Sequence, residues 1–311
     1  MYLVCGEALF DFFLESTAEV PGNQLLYRAI AGGSPFNVAV GLARLDVPVG
    51  LFAGLSRDHL GRRLHQVLVD EGVGTEQVLE VDAPTTLAMV GVDALGAPQY
   101  SFRGEGCADR LLQHLPKLAE QVRGLHLGSY SLVVEPIGTT LLALVERESG
   151  RRLISLDPNI RLNVEPDLLR WRARIEAFAR HAHLIKVSDE DLALLYPGED
   201  PEHLAQGWLD HRCELVLLTR GRQGASLFSR RHGQRSQPAR AVVTRDTVGA
   251  GDSFQAAVLA YLHEQGLDNP ESLALITPRQ LDALLAFAVT AAALTCSRLG
   301  PQLPYRHELP L

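Results

Sequence analysis

The sequence predicts an α/β protein of three layers, a mostly parallel central sheet between helices with a small second β-sheet beside it. Short apolar runs alternate with longer amphipathic ones through most of the chain, as βαβ units require. Two stretches, Phe10 to Ile30 and Thr85 to Phe102, interrupt that rhythm with alternating β-type segments. No linker, repeat or low-complexity tract divides the 311 residues, so residues 1–311 read as one domain carrying β-rich additions at about 10–30 and 85–103.

Leu3-Val4-Cys5, Leu51-Phe52-Ala53, Leu125-His126-Leu127, Leu153 to Leu156, Leu184-Ile185-Lys186 and Leu215 to Leu218 are the expected main strands, each ending near polar or glycine residues. Between them, Pro35 to Leu45, Leu60 to Glu71, Ile137 to Ser149, Trp171 to His181 and Pro201 to His211 carry helical spacing. Ser34 before Pro35 reads as an N-cap followed by proline at the first helical position. Asp93 to Pro98, with Gly96, reads as a turn inside the second β stretch.

Composition limits the function classes. A hydrophobic content of 46% with 21% charged residues supports a sizeable core and excludes disorder. A net charge of −8 argues against nucleic acid as a partner, because that affinity comes from many Lys and Arg neutralising phosphates. Cys5, Cys107, Cys213 and Cys296 lie far apart and read as reduced thiols, not as a zinc site. The first residues lack the basic region of a signal peptide. The apolar run Ala283 to Cys296 is shorter than the ~18 residues that suggest a membrane span, so no membrane association and a cytoplasmic location are expected.

The stretch from Asp246 to Phe254 packs two glycines and two carboxylates just before a helix. A dinucleotide fingerprint opening at Gly249 would need glycine where Phe254 stands, and no Gly-Lys dipeptide exists for a P-loop. Protein-kinase signatures such as His-Arg-Asp are absent as well. What remains is a loop at a helix start, where first-turn amides lack intrahelical partners and point outward. Gly249, Ala250, Gly251 and Asp252 can offer such donors to an anion. An acid at a helix start is also stabilised by the dipole, by ~0.3–1 kcal/mol, so the residues alone leave a capping role and a catalytic role for Asp252 open.

This nine-residue stretch resembles the C-terminal signature of the ribokinase-like, or PfkB, family of carbohydrate kinases, and Ala31-Gly32-Gly33-Ser34-Pro35-Phe36-Asn37-Val38-Ala39 resembles its N-terminal signature. The likeness extends over nearly the whole chain, through Gly6-Glu7 to Asp11, Asp157 to Arg161 and Thr219 to Ala225. It implies a Rossmann-like ribokinase fold with a β lid, ATP and Mg²⁺ as cofactors, and sugar and ATP as small-molecule partners, while the exposed β edges of such a lid give a means of pairing two subunits into a homodimer. Asp252 is then the base, with the amides of Gly249 to Asp252 as anion hole. Asp11, Gly32, Gly33, Asn37, Arg103 and Arg161 are implied sugar contacts. Lys186, Ser188, Thr219, Gly221, Gly224 and Cys296 are implied on the nucleotide side, together with Gly249 and Gly251. Where much of the family has Asn-x-x-Glu, this chain has Ser188 and Asp191, so Asp191 or Glu190 is implied to act on hydrated Mg²⁺ through water. A monovalent cation, K⁺, is implied near Asp246, where Val248 offers only its backbone carbonyl.

Within the family the chain looks most like bacterial fructokinases, which implies phosphorylation of fructose to fructose 6-phosphate. 2-Keto-3-deoxygluconate kinases share both signatures and hold a carboxylate with arginines, so Arg103 and Arg161 keep that reading open. Two other classes stand against the kinase: a catalytically silent sugar-binding regulator, disfavoured by the intact Asp252 and its glycines, and a nicotinamide dehydrogenase, disfavoured by Phe254.

Overall fold

A computed structural model describes residues 1–15, 21–92 and 98–310. In chain order the elements are β1 (Tyr2–Cys5), β2 (Leu9–Leu14), β3 (Tyr27–Gly32), α1 (Ser34–Arg44), β4 (Val49–Ser56), α2 (His59–Asp70), β5 (Val78–Val81), β6 (Leu87–Val92), β7 (Pro98–Arg103) and β8 (Gly124–Gly128). Next come α3 (Ile137–Glu148), β9 (Leu153–Asp157), α4 (Leu168–Ala179), β10 (Leu184–Ser188), α5 (Asp189–Leu195), α6 (Pro201–Gly207) and β11 (Leu215–Thr219). The chain closes with β12 (Ala225–Ser229), β13 (Gly233–Gln237), α7 (Ala250–Glu264), α8 (Pro270–Leu273) and α9 (Pro278–Cys296).

Nine strands form the main sheet in the order β13-β12-β11-β10-β9-β8-β1-β4-β5. All neighbours pair in parallel except β11 with β12 and β12 with β13. A second sheet runs β3-β2-β6-β7, formed by the two stretches that broke the βα rhythm. The expected turn at 93–97 lies outside the described residues.

Strand alternation sends side chains to two separate cores. Tyr2 and Val4 of β1 join the core beneath α1, α7 and α9, while Leu3 and Cys5 join the one beneath α3 and α4. Over the middle strands the α7 side carries polar residues, His126, Ser155 and Lys186, where the opposite side carries Leu127, Leu156 and Val187. His126 pairs with Ser155 in register, and Ser155 Oγ accepts from Gln255 Nε2 of α7 at 2.8 Å. A polar row is thereby placed under the first turns of α7.

Three local readings are corrected. Ser34 does not cap α1: Gly33 holds the cap position at φ 101°, and the Ser34 hydroxyl turns to Asp252. α4 begins three residues before Trp171, because the Asp167 carboxylate caps the Leu169 and Arg170 amides. α9 is a 19-residue helix with mean hydropathy 1.3, long and apolar enough by composition to cross a membrane. Here it is a core helix, with Leu281, Leu284, Leu285, Ala288 and Ala291 buried against the α7 side of the sheet.

The close approach of α1 to α7 depends on Gly41. A Cβ there would stand 2.8 Å from Ala256 Cβ and 2.6 Å from Leu303 Cδ2. Gly41→Ala gains about 1 kcal/mol of helix propensity but overpacks the interface at a cost of about 1–3 kcal/mol, so a lower denaturation midpoint is expected. Urea unfolding of the variant measures it, and an unchanged or higher midpoint contradicts the packing account.

Candidate active site

The loop into α7 is a tight turn. Ala250 N–H donates to Thr247 O at 3.2 Å, and Gly249 takes φ 79°, ψ 0°, the third-residue conformation of a type II turn. Glycine is required there twice over, since a Cβ would also meet Pro301 Cβ at 2.8 Å. Ala250 is therefore removed from the expected ring of four free amides, because closing the turn uses its N–H. The amides of Gly249, Gly251 and Asp252 have no protein partner among the described residues. The Asp246 carboxylate fixes the loop by accepting from Val248 N–H at 3.1 Å and Gly300 N–H at 2.8 Å.

Asp252, in the first turn of α7, is 8% exposed. Its Oδ1 accepts from Ser34 Oγ at 2.6 Å and its Oδ2 from Asn37 Nδ2 at 2.8 Å. Ser34 and Asn37 are three apart on α1 and share a face, so the two glycine-containing motifs meet at this carboxylate. The Asn37 amide donor, expected on sugar, is held by Asp252.

Lys186 Nζ lies 2.9 Å from Asp157 Oδ2, both side chains almost fully buried. Burial works against the ammonium charge, but the carboxylates of Asp157, Asp191 and Asp252 outweigh it and raise the Lys186 pKa. Gly251 makes room for it, because a Cβ there would approach Nζ to 3.1 Å. Asp157 Oδ1 is a buried acceptor with no partner among the described residues.

A cleft of about 1150 Å³ opens over these groups. On one side it is lined by Glu7, Asp11, Gly33, Asn37, Phe102 and Arg161. Burial raises the Asp11 carboxyl to about 6, opposed by Arg161 and reinforced by Asp252, which brings all three into one electrostatic environment. Gly32 leaves room for that carboxylate, since a Cβ would meet Asp11 Oδ2 at 2.5 Å, but Gly33 and not Gly32 reaches the lining. Arg103 is corrected: it is exposed and outside the lining, because alternation along β7 turns Phe102 inward against Tyr130 and Arg103 to the other face. Ser129 and Asn159, at the ends of β8 and β9, line the cleft with φ 59° and 42°, left-handed conformations that concentrate at functional sites.

The other side is lined by Lys186, Ser188, Thr219, Gly221, Gly224 and, from α9, Ala292, Ala293 and Cys296. Gly224, at φ 95°, allows the chain to pass Gln237 O, which a Cβ would approach to 2.1 Å. Burial and then Asp246 raise the Cys296 thiol. Asp191 also lines the cleft, and its oxygens each hold one hydrogen bond: Oδ1 accepts from Ile160 N–H at 2.8 Å, and Oδ2 from Ser188 Oγ at 2.6 Å. Glu190 is exposed at the rim. Among the described residues no cluster of three His, Cys, Asp or Glu could cage a metal. Asp246 is not in the lining.

A carboxylate oriented by two donors, three open amides and a buried lysine suit transfer of an anionic group to a hydroxyl. Reading the sequence missed Glu7, Ser34 and Asp157 as site residues. Alternation in the strands could have flagged Asp157 and Lys186 as polar positions on one face, but nothing local marks Glu7.

The chain matches the pfkB family carbohydrate kinases over residues 1–308. It is 36% identical over 316 residues to a fructokinase of Rhizobium leguminosarum bv. trifolii, covering 100% of this chain and 90% of that one. A probable chloroplastic fructokinase of Arabidopsis thaliana is 31% identical, covering 99% of this chain and 81% of the relative. Among solved structures, an ATP-bound fructokinase of Xylella fastidiosa superposes with a TM-score of 0.87 at 26% identity, over 96% of this chain and 93% of that one. A fructokinase of Vibrio cholerae O395 with fructose, ADP and calcium superposes with 0.78 at 25% identity, over 97% and 94%.

Burial raises the Glu7 carboxyl from 4.5 to about 7, against the Ser131 and Ser129 hydroxyls. Between those values the folded chain keeps a proton that the unfolded chain releases, so the stability Glu7 contributes falls as pH rises through the window. Glu7→Gln removes this term. Its melting temperature is expected to gain on wild type as pH rises from about 5 to about 8, and parallel profiles contradict the assignment.

Proposed function

The chain belongs to the pfkB family of carbohydrate kinases, and on that premise we propose that it is an ATP-dependent fructokinase converting fructose to fructose 6-phosphate. The observation that carries the reading is Asp252, held by Ser34 and Asn37 beside the unpartnered amides of Gly249, Gly251 and its own backbone. In this reading Asp252 accepts the proton of the fructose 6-hydroxyl as that oxygen bonds to the γ-phosphorus. The bond to the β-bridging oxygen breaks and ADP leaves. The three amides hold the charge spreading over the equatorial oxygens. Lys186, close to Gly251, adds its positive charge to the same anion.

Charge favours a neutral sugar. Among the described residues the sugar side holds the carboxyls of Glu7, Asp11 and Asp252 and one cation, Arg161, whose Nη1 already donates to Ile160 O at 2.9 Å. With Arg103 outside the cleft, an acid such as 2-keto-3-deoxygluconate would meet more repulsion than attraction.

Mg²⁺ fits as an ion carried by the nucleotide phosphates, whose charge it would neutralise, because among the described residues no cluster of His, Cys, Asp or Glu cages a metal. Glu190 and Asp191 would reach it through water. For K⁺, Asp246 would have to share oxygens that already hold Val248 and Gly300, and we assign Asp246 to holding the loop. We also propose a single-domain molecule whose small sheet closes over the sugar and, through its exposed edge strands β3 and β7, pairs two copies. Four free thiols, three of them buried, support the reducing environment of the cytoplasm.

ADP formation with Mg²⁺ and a panel of fructose, 2-keto-3-deoxygluconate, ribose and adenosine tests the proposal. Fructose is expected to give the highest kcat/KM, with no ADP in the absence of sugar. Asp252→Asn should lower kcat by ~10²–10⁴ or more while nucleotide binding by calorimetry persists. Turnover retained in that variant would remove Asp252 as the base.

A further inference from the structure

We propose that Glu7 is a substrate-binding residue whose carboxyl, from beneath Gly33, accepts a hydroxyl of the bound sugar. The inference rests on the fructokinase reading and adds a contact to it. Glu7 follows β1 where Gly6, at φ 143°, brings the chain against the start of α1: a Cβ on Gly6 would meet Pro35 Cγ at 2.5 Å. The side chain then passes under Gly33, whose Cβ, if present, would lie 2.9 Å from Glu7 O and 3.3 Å from Glu7 Cγ. Glu7 is 1% exposed, yet it lines the sugar side of the cleft.

Glu7 Oε2 accepts from the Ser131 hydroxyl, and the Ser129 hydroxyl also acts on the carboxyl. No Arg, Lys or His pairs with it among the described residues. The charged neighbour that acts on it is another acid, Asp109. Asp109 is equally buried, but its two oxygens accept from Thr86 Oγ1 and Tyr130 OH, so its hydrogen bonding is internal and structural. Glu7 differs in lining the cleft. A buried carboxyl without a cation destabilises the empty protein, whereas a polyhydroxyl ligand supplies a further donor. Gly33 keeps that path open, a spatial requirement in addition to its positive φ.

The test compares wild type, Glu7→Gln and Glu7→Asp by steady-state kinetics and thermal unfolding at pH ~8, above the raised Glu7 value of about 7, where the carboxyl is charged. Glu7→Gln keeps the volume but loses the charged acceptor, and Glu7→Asp keeps the charge but withdraws it by one methylene. For both, KM for fructose is expected to rise ~10-fold or more, as for a hydrogen bond to a charged group, with KM for ATP and kcat within ~3-fold of wild type. A KM for fructose within ~2-fold of wild type in a folded variant overturns the proposal, as does an equal rise in KM for ATP. If wild type prefers another sugar of the panel, the fructose reading fails alone. The same KM split is then expected with that sugar, and its absence overturns the Glu7 assignment. Wild type inactive with every sugar overturns both.

Discussion

Two hydrogen bonds from α1 to the carboxylate of Asp252 join ends of the chain 218 and 215 residues apart in sequence. Each oxygen receives one donor, which fixes the carboxylate plane while leaving acceptor capacity on both atoms. Because Ser34 and Asn37 sit one helical turn apart, the orientation of Asp252 is set by the packing of α1 on α7, and Gly41 sets how closely those helices approach. The orientation of the Asp252 carboxylate is thus a consequence of helix packing.

Beneath α7 the sheet changes character. His126, Ser155 and Gln255 form a buried polar chain between two apolar cores, and Lys186 with Asp157 continues it toward the cleft. Polar groups in such surroundings interact strongly and are costly if unpaired. Among the described residues His126 Nε2, Gln255 Oε1 and Asp157 Oδ1 have no hydrogen-bond partner, and all lie on the α7 side of the sheet near the site. The site therefore has a polar floor in place of the apolar packing that the same layer has elsewhere. This arrangement trades stability for fixed charges at the cleft.

Much of this was legible in the sequence, and the failures have specific causes. Strand periodicity located β1, β4 and β8 to β11, and the two glycine motifs located the starts of α1 and α7. The hairpin of β12 and β13 escaped because β13, GQRSQ, carries no apolar alternation. Arg103 was placed on the sugar because a one-residue difference in a strand selects the opposite face, which sequence alone does not fix. Ala250 was counted among the open amides because the turn that consumes its N–H depends on the conformation of Gly249. Glu7 carries no local signal, since its burial arises from Gly33 and Ser131, both remote in sequence.

The most direct measurement of the central claim is a crystal structure of the protein with fructose, Mg²⁺ and a non-hydrolysable ATP analogue. The account predicts the 6-hydroxyl oxygen within hydrogen-bonding reach of an Asp252 carboxylate oxygen, and the terminal phosphate analogue on the amides of Gly249, Gly251 and Asp252. A reacting hydroxyl seated against a different carboxylate, or a terminal phosphate held away from those amides, would contradict it.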